Sequence, residues 1–276
     1  MNMKNNIVAT VTLALFLSCA TNPFTGSKTL ALVPNDSLFP SAFAQYNQFL
    51  TESKVIKGTA NAEMITRVGQ RIAVAAERYL NANGYQGYLE DYRWEYNLVD
   101  DNTVNAWCMP GGKIVFYSGI LPVAENETAI AAIMGHEVAH ALANHGQQRM
   151  SAAYIQQGVA VAGNIALAND ENLALYNQAF GIASNVGVML PFSRDHETEA
   201  DKIGLYLMAI AGYDPDEAAE LWKRMDAKSS GQAPPEFLST HPANATRISN
   251  LQSLASKAVA EAKKFGVTSF RPLGKF

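Results

Sequence analysis

The stretch IMGHEVAHALANHG, residues 133–146, sets two histidines four positions apart, His136 and His140, with Glu137 directly after the first, in a segment otherwise almost wholly apolar. On an α-helix, positions four apart differ by about 40° in azimuth and about 6 Å in rise, so both imidazoles can face one point. Glu137 sits about 100° further round, beside that point without aiming at it. Burying three such groups costs several kcal/mol unless something compensates. A divalent metal is the compensation this spacing suggests: the histidines hold the ion, and the glutamate takes a proton from water activated there. The alternative is a pair of core histidines satisfied by backbone carbonyls. In a chain with five histidines the H-E-x-x-H pattern seldom arises by chance, which favours the metal.

A catalytic zinc site needs a third protein ligand and an open fourth position. The longer zinc motif would put a glycine at 143 and a histidine at 146, but Ala143 and Gly146 stand there. His145 misses that register and reads as a packing or hydrogen-bonding residue. The better source is HETEAD, residues 196–201, where Glu197 and Asp201 are again four apart on one helical face. Glu197 completes a His2Glu set, and Asp201 accepts the ring N–H of a ligating histidine, His136. Ala200 and Gly204 share that face, and such small side chains let this helix approach the first closely. Glu199 points elsewhere and reads as a solvated or salt-bridged carboxylate, and His196 as a helix-end residue.

Outward from these two segments, helical periodicity runs from Ala60 to Leu80 and from Glu125 to about His145. Further helices start at Ser193 as N-cap, at the Asp214-Pro215 start signal, and after THPANATRI, the last running to Gly266. Two strands are predicted earlier, Tyr92 to Val99 and Lys113 to Tyr117. Between them, Pro110 and two glycines confine any extended NAWCM segment to a sheet edge, where a peptide could add as a strand. Strands early and helices late give a mainly α domain of α+β type with a small antiparallel sheet.

With 276 residues, 48% of them hydrophobic and 17% charged, the chain can bury one full core. Its net charge of −4 offers no basic footprint, which excludes nucleic acid as a partner. Lys4 and the apolar run Ile7 to Leu17 form a signal segment too short to span a bilayer comfortably. Ser18 before Cys19 makes the end of that run a loose lipobox. The expected organisation is a lipoprotein signal peptide over 1–18, a tether over 19–30 lipidated at Cys19, and one domain over 31–276. An ordinary signal cut near Ala20 is the alternative. Cys108 is then a lone free thiol, and the fold rests on no disulfide.

HEVAH joined to ExxAD, preceded by NAWCMPGGKIVFYSGIL (105–121) and followed by STHPANATRI (239–248), resembles metallopeptidase family forty-eight, the gluzincins, in its soluble, lipid-anchored branch. The resemblance extends from about Asn22 to Ile248. It implies a helical zincin-type metallopeptidase domain with one Zn2+ on His136, His140 and Glu197, and with Glu137 as the catalytic glutamate. It also implies a substrate cleft lined around Asn105 and Ala106. His241 and Arg247 are candidates to stabilise the oxyanion. For Arg247 the alternative is a salt bridge to an acidic group near the site, and for His241 it is occupation of the zinc in a latent state, as in a periplasmic relative. Segment 158–190 is interrupted by polar residues and has no apolar run of about 18, so it reads as helices or a lid over the cleft.

The expected function is a zinc endopeptidase of the bacterial envelope that degrades misfolded polypeptides. It would be lipid-anchored on the periplasmic side at the outer membrane, with envelope assembly machinery as a possible partner. The rivals are a lipid-anchored chaperone or scaffold with a regulatory zinc site and a non-peptidase zinc hydrolase.

Overall fold

The helix that carries HEVAH has no solvent-facing side: every residue from Thr128 to Leu142 is buried. A helix apolar all round must lie at the centre of its domain, and the rest of the fold is layered around it. The computed structural model describes residues 19–166, 190–229, 236–242 and 245–274. In chain order the elements are β1 (Cys19–Thr21), β2 (Lys28–Leu30), α1 (Asn35–Glu52), β3 (Val55–Ile56), α2 (Ala60–Ala82), β4 (Glu95–Val99), β5 (Ala106–Met109) and β6 (Lys113–Tyr117). They continue with α3 (Leu121–Ala124), α4 (Glu127–Leu142), α5 (His145–Ala166), α6 (Leu190–Ile210), α7 (Asp216–Ser229), α8 (Glu236–Thr240) and α9 (Ala245–Lys264). The helix α4 packs against α2, α6, α7 and β5, which places the two histidines in the main core.

Local chemistry explains where the elements start and stop. Asn126 caps α4, its Oδ1 accepting from the Ala129 N–H at 2.8 Å. The same helix ends at Leu142, three residues short of the predicted His145, because Asn144 adopts a left-handed φ of 57°. Asparagine tolerates that conformation better than most residues. The Asp214 side chain accepts from the Asp216 N–H at 3.1 Å and so caps α7 as expected. Ser193 lies inside α6, which is already helical at Leu190, so the predicted N-cap is displaced. The last helix begins within THPANATRI, at Ala245.

The sheet is mixed, with strand order β3-β4-β6-β5. The expected antiparallel pairing holds for β3 with β4 and for β5 with β6, but β4 and β6 run parallel, Tyr96 opposite Ile114. The tight turn at Met109–Lys113 folds β6 back along β5 and inserts it between β5 and β4. Strand β5 is left at the edge, where Pro110 and the turn glycines require it. Residues 19–30, the expected tether, form the hairpin β1–β2, with Cys19 opposite Leu30. The chain just after it docks on α5 through Leu32 N–H to Ser151 Oγ (3.0 Å) and Gln147 to the Val33 carbonyl (2.6 Å). The expected signal, 1–18, lies outside the described residues, as does most of the expected lid. Its first part continues α5 to Ala166, and 167–189 are not described. Among the described residues no helix is long and apolar enough to cross a membrane.

Candidate metal centre

Two helices supply the centre, and glycine lets them meet. A Cβ at Gly204 of α6 would lie 2.8 Å from the His136 backbone N, and one at Gly135 of α4 would lie 2.8 Å from the Gly204 carbonyl oxygen. Backbone therefore touches backbone at the crossing, and Glu197, two turns before Gly204, is carried to the histidines. His140 Nε2 stands 3.1 Å from His136 Nε2 and 3.3 Å from Glu197 Oε1. His136 Nε2 stands 3.3 Å from Glu197 Oε2. A fourth donor, His241 Nδ1, lies 3.1 Å from His136 Nε2 and 3.0 Å from Glu197.

The donor set and its spacing both fit zinc. Donors at the corners of a tetrahedron about 2.0 Å from its centre are about 3.3 Å apart. The distances just given run from 3.0 to 3.3 Å, and one donor atom from each of the four residues falls within 4.8 Å of the others. The electrostatics agree. Burial opposes charge on Glu197, but hydrogen bonds with His136, His140 and His241 outweigh it and hold this carboxyl far below the usual range. The site thus keeps an ionised carboxylate among nitrogen donors, the His/carboxylate chemistry that zinc takes.

Around the donors, Asp201 meets His136 Nδ1 at 3.0 Å, as the four-residue spacing from Glu197 predicts. Arg247 grips Asp201 with two bonds of 2.7 Å, reaches Glu197 at 3.1 Å and lies 3.6 Å over the Trp222 ring. The structure therefore places Arg247 in an ion pair with an acidic group beside the donors. For His136, burial lowers the pKa, but hydrogen bonds to Asp201 and Glu197 prevail and push it up to about 9. Glu137 is raised by burial, only partly offset by His241 and His136, and its Oε1 has no hydrogen-bond partner. His241 Nε2 lies 3.4 Å from that oxygen.

Asn105 and Ala106 are buried where β5 begins, and Asn105 Oδ1 accepts from the Ala106 N–H at 2.9 Å. Asn105 also donates to Glu236 (3.1 Å), and the Phe237 N–H bonds the Val104 carbonyl (3.1 Å), so α8 is fastened where the edge strand starts. Cys108 on β5 is a free thiol whose pKa burial pushes well above the usual value. The hydrogen-bonding role read for His145 and the salt-bridged one read for Glu199 are parts of one contact chain beside the donors. His145 reaches His140 and Glu199 at 2.8 Å each, and His196 stacks on its ring. All five histidines of the chain, 136, 140, 145, 196 and 241, therefore meet in one cluster.

Residues 59–255, well over half of the chain, match Peptidase family M48. The chain belongs to this family. M48 is a family of zinc metallopeptidases, so the expected cofactor and enzyme class agree with membership. The chain is 39% identical over 172 residues to mitochondrial metalloendopeptidase OMA1 of Schizosaccharomyces pombe, covering 62% of this chain and 49% of that one. It is 35% identical over 206 residues to the Saccharomyces cerevisiae protein of the same name, covering 70% and 56%. A bacterial M48 relative, the beta-barrel assembly-enhancing protease of Escherichia coli, is 27% identical over 195 residues, covering 66% and 39%. This chain thus spans about half the length of the two OMA1 relatives. The same comparison overturns the expected location: relatives at 35–39% identity are mitochondrial by name, against a lipid-anchored place at the bacterial outer membrane.

Proposed function

We propose that this chain is a zinc-dependent endopeptidase in which His136, His140 and Glu197 hold the ion and Glu137 shuttles the proton. The observation that carries this reading is a set of donors at zinc spacing beside a buried glutamate with one oxygen left without a hydrogen-bond partner. Zinc held there supplies Lewis acidity toward water and toward the scissile carbonyl. Glu137 accepts a proton from the attacking water at Oε1 and delivers it to the amine nitrogen as the peptide C–N bond breaks. Burial brings its pKa upward, toward the range where one carboxyl can do both. Asp201 and Arg247 hold His136 and Glu197 in place rather than touching substrate.

The substrate on this reading is an extended polypeptide lying along the edge strand β5 beside Asn105 and Ala106. With α8 fastened to Val104 and Asn105, and His241 completing the tetrad, the arrangement described is the resting one, and substrate entry displaces α8 together with His241. Misfolded or misassembled proteins are the proposed clients, with assembly machinery as a partner. The name of the Escherichia coli relative supports this. The test is degradation of an unfolded protein by wild type and by Glu137→Gln, with zinc content measured in both. The variant keeps its zinc and loses turnover by a factor of about 100 or more, the scale at which general acid–base catalysis contributes. Equal turnover would end the enzymatic reading in favour of a scaffold.

A further inference from the structure

The structure assigns Glu199 and His145 as positioning residues for His140, acting as a two-step relay that fixes which nitrogen of His140 is free to bind metal. This rests on His140 being a ligand. His140 turns Nε2 toward Glu197 and His136, so its other ring nitrogen, Nδ1, faces away from the centre and lies 2.8 Å from His145 Nδ1. His145 is fully buried, and its Nε2 is 2.8 Å from Glu199 Oε2. The other oxygen of Glu199 accepts from Asn22 Nδ2 at 3.0 Å. The His145 ring is clamped by stacking on His196 at 4.0 Å and 6°, and His196 in turn meets Gln148 at 3.2 Å.

Hydrogen-bond logic then leaves one arrangement for neutral rings. An ionised carboxylate only accepts, so the proton between Glu199 and His145 sits on His145 Nε2. A neutral imidazole with its proton there presents Nδ1 as an acceptor. Two nitrogens 2.8 Å apart need one proton between them, so His140 carries its proton on Nδ1 and keeps the Nε2 lone pair facing the donor set. One carboxylate thus dictates the tautomer of an imidazole it does not touch. The two histidines of the motif are held differently: His136 by Asp201 directly, His140 through a second imidazole. Through Asn22, just after β1, the N-terminal hairpin also helps to set the outer end of this relay.

The test uses the full chain as wild type, Glu199→Ala, Glu199→Gln and His145→Phe, with zinc affinity from chelator competition and ring-nitrogen tautomers from 15N NMR of the zinc-loaded proteins. Glu199→Ala and His145→Phe are expected to weaken zinc binding by about 10–100-fold, the usual cost of losing an outer partner of a ligating histidine. Glu199→Gln keeps an acceptor oxygen and recovers most of that loss. The NMR places a proton on His140 Nδ1 and on His145 Nε2 in wild type. Zinc affinity in Glu199→Ala within twofold of wild type, or a wild-type tautomer pattern opposite to this one, overturns the relay. A purely packing role would lower the melting temperature and leave affinity and tautomers unchanged, which also overturns it. Failure of the wild-type chain to bind one zinc would instead remove His140 as a ligand, and the reading beneath the relay with it.

Discussion

The contact between Gly204 and Gly135 makes a sharp prediction, because atoms that cannot move aside occupy the space. A methyl group at position 204 would sit 2.8 Å from the His136 N, 2.9 Å from the Gly135 carbonyl carbon and 3.0 Å from the His136 Cα. Ordinary contact begins at 3.4 Å, so α4 and α6 must part by about 0.6–1 Å, and overpacking of this kind costs about 1–3 kcal/mol. The same shift carries Glu197 outward. Donors now 3.0–3.3 Å apart would open by several tenths of an ångström, beyond the roughly 0.2 Å tolerance of a zinc–ligand bond. Alanine also returns about 1 kcal/mol of helix propensity. Gly158→Ala isolates that gain, since nothing lies within 4 Å of a Cβ at Gly158. Gly204→Ala should therefore melt about 2–12 °C below Gly158→Ala, taking about 2–4 °C per kcal/mol for a domain of this size. It should also lose zinc to a chelator that leaves Gly158→Ala loaded. Equal melting temperatures with zinc retained in both would refute the claim that backbone contact at this crossing sets the donor spacing.

Three further outcomes follow from the same geometry. His241→Ala should raise the turnover of an unfolded substrate several-fold by freeing the fourth position; a fall in kcat would instead assign His241 to oxyanion stabilisation. Asp201→Ala leaves the buried Arg247 guanidinium without its two-bond partner and should cost about 3–5 kcal/mol in urea unfolding. Pairing it with Arg247→Met should recover much of that loss, and simple addition of the two single-variant costs would contradict the ion-pair account. Glu127 tests pH dependence away from the centre: burial raises its pKa, but hydrogen bonds from Arg67 and Tyr213 and the charges of Arg67 and Arg71 together bring it below the usual value. Its stabilising contribution, about 1 kcal/mol, is then full above the unfolded value near pH 4.3 and lost as pH falls through the lower folded one. The stability gap between wild type and Glu127→Gln should hold from pH 7 to about 5 and close toward pH 3, and an unchanged gap at pH 3 would remove the ion pair as its cause.

What the sequence disclosed about the centre was what a single helix encodes. His136 with His140, and Glu197 with Asp201, are four-residue pairs whose relative direction is fixed by helical geometry alone, before any tertiary contact forms. The relay through His145 escaped because it depends on a break: Asn144 turns the chain, and the next helix begins by swinging His145 back toward His140. An asparagine just before that histidine was the available signal, since it is among the few residues that accept a left-handed φ. Glu199 is salt-bridged as its position suggests, but its partner could not be named for a related reason. Its helical face diverges from that of Glu197, but a partner from another helix fills that side. The parallel pairing of β4 with β6 was equally hidden, because alternation reports which face of a strand is buried and says nothing about its neighbours.

The central position of α4 also bears on how the protein fails. With every residue from Thr128 to Leu142 shielded from water, the amides of this helix have no local route to exchange, and they open only when the whole domain does. Heating or denaturant should therefore leave the histidine pair intact until the cooperative transition, and hydrogen–deuterium exchange there should report the global unfolding free energy.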